Sequence, residues 1–393
     1  MSKLSRTMRT FCYCGTHAFA VLSVLVGLQA CEPSRPPASN NTGIRFLVQG
    51  DEHSEFARAS QPHLFEFPRD HGAHPQFRTE WWYFTGNLAT ESGRHFGFEL
   101  TFFRYGLSAA IPVGESRWRT NQAWLAHFAV TDTKNNTFYA YERLARNALG
   151  IAGAQTDQLS VQVENWYARS ETGDEPGDAS IALAANAEGT AIELRLQPQR
   201  GPVLQGDGGL DPKGPEPGNA SYYYSLPRLS VSGNINLPNE EGLAVKGWAW
   251  LDREWGTSAL SERVTGWDWL SLQLSDGRDL MFYRLRNDDG TANEYSGGSV
   301  SSADGRVTRL SREDVNMQIM RQWRSPISNI QYPVEWRVSI ESLGIDLLVE
   351  PRQDNQELNL GLRYWEGAVT ASSVDTSAPL TGIGYLELAG YND

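Results

Sequence analysis

Three residues stand where their types and neighbours suit proton chemistry: Glu80, His127 and Asp268. Alternate positions along Glu80–Leu88 put Glu80 on one face with Trp82, Phe84, Gly86 and Leu88. Along Gly266–Leu274, Asp268 shares its face with Leu270, Leu272 and Leu274. A carboxyl group on an apolar wall loses hydration when charged, so burial is expected to raise its pKa and keep it protonated. Adding water to an isolated alkene needs such an acid, because a proton must go to carbon first. Aromatic faces stabilise the resulting cation, and Trp81, Trp82, Tyr83, Trp267 and Trp269 lie beside the two acids. A carboxylate or a histidine then takes the proton of the attacking water, and His127, between Leu125 and Ala129, is the candidate base. Each of the three also has a structural reading. The acids can be anchored by arginines, and the histidine can be a satisfied core residue.

A second cluster holds Trp250, Asp252, Glu254 and Trp255. Asp252 and Glu254 share a face with Trp248 and Trp250. They are read either as paired carboxylates for acid–base work or as bridges to arginines at a domain junction, with the bridge preferred. All seven histidines lie at or before His127, so the C-terminal half must work without one. No His-Glu-x-x-His and no Gly-x-Ser-x-Gly occurs, which disfavours a zinc centre and a serine-hydrolase elbow. Neither a metal nor a cofactor is expected.

The elements that must position these residues read as strands. From residue 77 onward the text alternates in period two, as in Glu80–Leu88, His95–Phe103, Trp124–Asp132, Leu243–Leu251, Trp267–Leu274 and Gly384–Leu388. Ser92-Gly93, Asp276-Gly277, Asp289-Gly290 and Asp304-Gly305 supply turns. Trp124–Asp132 is apolar on both faces, which predicts a barrel wall packed outside by a neighbour and lined inside by an apolar cavity. The expected fold is all-β and antiparallel. The Gly- and Pro-rich stretch Gly201–Asn219 is expected to be a functional or disordered loop; it lacks the Gly-Lys-Ser/Thr ending of a nucleotide site.

The N-terminus predicts export. Lys3, Arg6 and Arg9 precede an apolar run, Ala18–Gly27, that is too short to span a bilayer and is followed by Leu28-Gln29-Ala30-Cys31. This ending resembles a lipobox, so Cys31 is expected to carry a lipid and to hold the mature chain on a membrane facing the periplasm. The three cysteines are Cys12, Cys14 and Cys31. Cleavage before Cys31 would leave no internal disulfide partner, which fits lipidation. The chain carries a net charge of −13, and losing the basic signal makes it more acidic. Nucleic acid is therefore a poor partner.

Several segments resemble the AttH / carotenoid 1,2-hydratase (CrtC) family. They are Asp70–Asn87 with its Glu-Trp-Trp-Tyr block, Ala126–Asp132, Ala220–Ser225, Gly247–Gly256 with its Asp-x-Glu-Trp block, and Gly266–Leu270. The family often carries histidine where this chain has Arg253. The resemblance implies two lipocalin-like antiparallel β-barrels packed together. It divides the chain into a signal peptide (1–30), a lipidated cysteine and flexible linker (31–62), an N-terminal barrel (63–252) and a C-terminal barrel (253–393). The functional expectation is an envelope-anchored protein that binds an apolar, isoprenoid- or lipid-like small molecule, either as a carrier or as a hydratase. The alternatives are an accessory lipoprotein of an ABC-type export system and a secreted hydrolase.

Overall fold

The period-two text is realised as two antiparallel sheets. The structure is a computed structural model that describes residues 55–171, 179–257, 260–261, 263–377 and 379–391. Cys31, the signal and the tether as far as residue 54 lie outside the described residues. The first sheet has thirteen strands and the second has ten. They form one nearly closed barrel and one half-barrel, so the all-β, lipocalin-like reading holds with a difference in closure.

In the first sheet, Gln122–Asp132, His95–Gly106, Thr79–Ala89, Glu240–Gly256 and Ala220–Leu237 lie side by side. The expected boundary at 252/253 falls inside Glu240–Gly256, which stays paired to Thr79–Ala89 as far as Gly256. The second sheet opens with Val264–Leu274, flanked by Asp279–Asn287 and Thr381–Ala389, with Arg363–Ser373 beyond the latter.

Each central strand buries both faces. Along Thr79–Ala89, Trp82, Phe84 and Leu88 face the barrel interior, where they pack with Phe96, Phe98, Trp124, Phe128 and Trp166. Tyr83 faces the other way, into a separate cluster with Tyr223, Trp250, Trp269, Met281, Tyr283 and Tyr385 that joins the two sheets. Each large side chain fully buried in this way contributes ~1.5–3 kcal/mol. Large rings pack in the barrel interior, and a cavity lies between the sheets.

Glu80 sits inside the barrel, fully buried. Arg104 Nε donates to it at 2.9 Å, Arg253 Nη2 at 2.7 Å, and the His74 backbone N–H at 3.0 Å. The His74 ring adds a contact at 2.8 Å and stacks flat on Trp255, with centroids 3.8 Å apart. Arg253 also donates to the Trp81 carbonyl at 2.8 Å and lies 4.1 Å from the Trp82 ring. The expectation of a protonated Glu80 is therefore corrected. Burial alone would raise its pKa, but the charges of Arg253 and Arg104, with His74, hold it far below the usual carboxylate range.

Asp268 lies on the inner face of the second sheet, on the same side as Leu270, Leu272 and Leu274. It accepts from Arg284 Nε and Arg286 Nη1, both at 2.8 Å, and from the Tyr391 hydroxyl at 2.7 Å. These three donors anchor it, and it faces neither Glu80 nor the space between the sheets.

The Glu80 cage has a measurable signature. Glu80→Gln should destabilise the fold by about 3–5 kcal/mol at neutral pH, because it leaves buried guanidinium charge uncompensated. A group with a depressed folded pKa gives its stability above its unfolded value, ordinarily 4.5 here, and loses it as pH falls. In urea unfolding, the deficit of the variant should shrink below about pH 4.5; a deficit that stays constant down to pH 3 would contradict the cage.

Candidate functional site

Between the outer faces of the two sheets lies a cavity of about 150 Å³, enough for a benzene-sized group. The first sheet contributes Trp81 and Tyr83, Phe103 and Tyr105, Tyr223, and the carboxyls of Asp252 and Glu254. The second contributes Trp267, Trp269, Tyr283, Tyr364, and the carboxyls of Glu366 and Glu387. Lys213 enters from the stretch 201–219. That stretch is ordered as two short strands, Val203–Leu204 and Leu210–Pro212, paired to Ala220–Leu237.

Strand alternation decides who reaches the cavity. Arg253 and Trp255 point into the barrel, so Asp252 and Glu254, one residue away from each, point out of it. Asp252 accepts from Ser225 Oγ at 2.5 Å, from Trp250 Nε1 at 2.7 Å, and from the Tyr223 hydroxyl. Tyr223 in turn accepts from Trp269 Nε1 at 3.1 Å. Burial outweighs these donors and pushes Asp252 up to about 6. Glu254 accepts from Ser221 Oγ at 2.5 Å and pairs with Lys213 Nζ at 3.2 Å. Burial raises its pKa against the pull of Lys213. The expected arginine bridges are therefore replaced by hydroxyls, an indole and a lysine.

Lys213 is also 2.6 Å from Asp211 Oδ2 and 4.0 Å from the Tyr283 ring centroid. Burial alone would lower its pKa, but the Asp211 and Glu254 charges raise it well above the ordinary value. The Tyr283 hydroxyl donates to Asp211 at 2.8 Å. Asp211 and Tyr283 also border a second cavity of about 430 Å³, whose wall includes Glu294, Arg309 and Asp314.

On the opposite wall, Glu387 accepts from Trp267 Nε1 at 2.9 Å. Among the described residues it forms no ion pair with an arginine or lysine. Burial pushes its pKa up to about 8, the indole N–H works against this, and the charges of Glu99, Asp252 and Glu254 add to the rise. Glu366 is raised well above the ordinary value by burial and by the Glu99 and Glu387 charges, which outweigh the nearby Tyr83 and Tyr364 hydroxyls. Neither of its oxygens makes a well-formed hydrogen bond among the described residues.

His127 sits one residue behind the cavity wall. Its Nε2–H faces Glu142 Oε2 at 3.1 Å, which leaves Nδ1 to accept from the Tyr364 hydroxyl at 2.7 Å. Tyr364 lies 3.3 Å from Glu99 and lines the cavity. Glu142 is 27 % exposed, so a hydrogen-bonded line runs from solvent to the cavity through His127.

The structure thus gathers Trp81, Tyr83, Asp252, Glu254, Trp267 and Trp269 around one cavity, with Trp250 behind Asp252. It separates Glu80, Trp82 and Trp255, which belong to the barrel interior, and Asp268, which belongs to the inner face of the second sheet. Sequence reasoning missed Glu387, Glu366, Lys213, Tyr223, Tyr283 and Tyr364. Glu387 alternates with Leu386 and Leu388, so its lone polar face was visible. A polar face of that kind ordinarily points to water, and only the second packed sheet turns it into a buried one.

Comparison with known proteins agrees with this architecture. The AttH-like family profile matches residues 58–391. The crystal structure of a protein described as an AttH from Nitrosomonas europaea superposes with a TM-score of 0.75 at 36% identity, covering 86% of this chain and 100% of that one. Kievitone hydratase from Nectria haematococca shares the fold, with a TM-score of 0.64 at 17% identity over 87% of this chain and 98% of that one. In sequence, kievitone hydratase from Fusarium solani subsp. phaseoli is 22% identical over 250 residues, which is 62% of this chain and 69% of the relative.

The Glu387 environment predicts a stability trend opposite to that of Glu80. Between its ordinary 4.5 and about 8, Glu387 is protonated when folded and ionised when unfolded. Stability therefore falls as pH rises through that window, by at most ~1.4 kcal/mol per pH unit. Glu387→Gln should remove this loss. Its advantage over the parent chain in urea unfolding should grow from pH 5 to pH 8, and parallel curves for the two proteins would refute the assignment.

Proposed function

From the premise that this chain belongs to the AttH-like family, we propose that it binds an apolar, unsaturated molecule between its sheets and adds water across a carbon–carbon double bond. We further propose that it works in the cell envelope, held by a lipid on Cys31. One observation carries the enzymatic reading: Glu387 stands in an aromatic-walled cavity and, among the described residues, forms no ion pair with an arginine or lysine. A relative named as a hydratase supports the same reaction class.

In this reading the Glu387 carboxyl gives its proton to one alkene carbon, and the π electrons form the new C–H bond. The positive charge left on the other carbon faces the rings of Trp81, Trp267 and Trp269, which stabilise it through their π faces. A water oxygen attacks that carbon and loses its extra proton to Asp252, which is ionised above about pH 6. The proton taken up by Asp252 balances the one given by Glu387, and the sum is alkene plus water to alcohol. The second cavity beyond Tyr283 and Asp211 offers room for the water. His127 accepts from the Tyr364 hydroxyl behind the cavity wall, which gives it a positioning role in this reading. Rings on most of the wall keep bulk water from the cation.

The reaction needs Asp252 ionised and Glu387 protonated together. With short apolar alkenes as substrates, kcat/KM should therefore be bell-shaped, with limbs near about 6 and about 8. Glu387→Gln should lower turnover by ~10²–10⁴-fold while ligand binding persists. The assay is mass spectrometry of product formed in ¹⁸O-labelled water. Binding without label incorporation would reduce the protein to a carrier, and unchanged turnover in Glu387→Gln would overturn the acid assignment.

A further inference from the structure

The cavity lies at one end of the sheets. Its wall includes Thr79, Tyr105 and Gly256 of the first sheet and Leu285, Leu362 and Ala389 at the second, all at or beside strand ends. Directly after Gly106 the chain leaves the sheet in a long loop. The loop is closed at its neck, where Leu107 N–H donates to the Asn121 carbonyl at 2.7 Å.

The loop's side chains are not those of a solvated turn. Ile111 is 85% exposed, Val113 91% and Trp118 64%, and Leu107 at the neck is 55% exposed. Arg117 and Arg119 flank Trp118, with Glu115 as the one acid nearby. Aliphatic side chains, a tryptophan and arginines in one exposed segment form the composition that settles at a membrane–water interface. The apolar groups enter the acyl boundary, the indole sits at headgroup level, and the guanidiniums meet phosphate.

The described N-terminus arrives at the same place. The Phe56 ring packs over Gly106, where a β-carbon would come within 2.5 Å of it. Ala57 N–H donates to the Gln76 carbonyl at 2.9 Å, and Thr257 Oγ1 donates to the Ala57 carbonyl. Gly106 and Thr257 each adjoin a residue of the cavity wall. Cys31, the expected lipid attachment point, lies upstream of Phe56 by a stretch whose extended length is at most ~85 Å. A lipid there would tether to the bilayer the end of the protein that carries both the loop and the cavity.

We propose that the loop between Gly106 and Gln122 docks on a lipid bilayer, with Ile111, Val113 and Trp118 inserted into the interface. This places the cavity end against the acyl phase, so an apolar ligand reaches the site from the membrane without crossing water. The chain as a whole is acidic, so apolar insertion carries the binding and anionic lipid adds only what the two arginines supply. The inference uses the position of the cavity and not its chemistry, and it stands whether or not the ligand is hydrated.

The test uses the chain from Glu32 onward, which has no acyl group. It keeps the whole family region, 58–391, and a solved relative folds over 86% of the full chain's length. Flotation is measured with phosphatidylcholine vesicles and with the same vesicles containing phosphatidylglycerol. The protein should float with both, and more strongly with the second. The combined Ile111→Ser, Val113→Ser and Trp118→Ser variant should partition about tenfold more weakly or worse, with an unchanged thermal midpoint. Trp118 emission should be quenched by lipids brominated near the headgroup, and that quenching should vanish in Trp118→Phe. Failure to float with either vesicle, or equal flotation of the triple variant, overturns the proposal and leaves the loop to a protein partner.

Discussion

The salt-bridged carboxylate of Glu80 is the interaction on which the site depends. It ties together the Thr79–Ala89, His95–Gly106 and Glu240–Gly256 strands and the segment that carries His74. In each of these strands the neighbouring residue on the opposite face belongs to the cavity wall: Trp81 beside Glu80, Phe103 and Tyr105 beside Arg104, Asp252 and Glu254 beside Arg253. A one-residue slip in any of these registers would turn wall residues into the barrel and core residues toward the second sheet. The cage inside the barrel therefore holds the geometry outside it.

Arginine placement then decides what each buried acid can do. Glu80 and Asp268 each receive two guanidinium groups and serve as anchors. Glu254 receives the ammonium of Lys213. Among the described residues Glu387 and Glu366 form no ion pair with a cation, and burial raises the pKa of both. The same side chain thus acts as structural anion or as stored acid according to its partners. Uncompensated acids cost stability, and a fold that keeps several of them in one cavity carries that cost where chemistry would use it.

The two sheets divide the work. Their inner faces hold the two largest clusters of buried apolar side chains. Their facing outer surfaces meet in an aromatic cluster that leaves a space at one end. Because neither sheet encloses that space alone, the acids, the indoles and the lysine converge only when both are in place. The loop beyond Tyr105 and the N-terminal segment share that end of the molecule, which links the approach of an apolar ligand to the residues that would act on it.

Strand alternation was legible in the sequence and carried much of the reading. It sorted Glu80 and Trp82 to one face, put Asp252 with Glu254 on another, and showed that Trp124–Asp132 is apolar on both sides. The charged N-terminus, the apolar run and Cys31 are likewise features of the sequence alone. Alternation names two faces, but it does not say which is packed against its own sheet and which against another. Nor does it say where the cations go: Arg253 meets Glu80 from 173 residues away. Those choices follow from strand registers and sheet packing, which are long-range. For that reason only the tertiary structure showed Glu80 to be an anchored anion and Glu387, unremarkable in its strand, to be one of the buried acids that form no ion pair among the described residues.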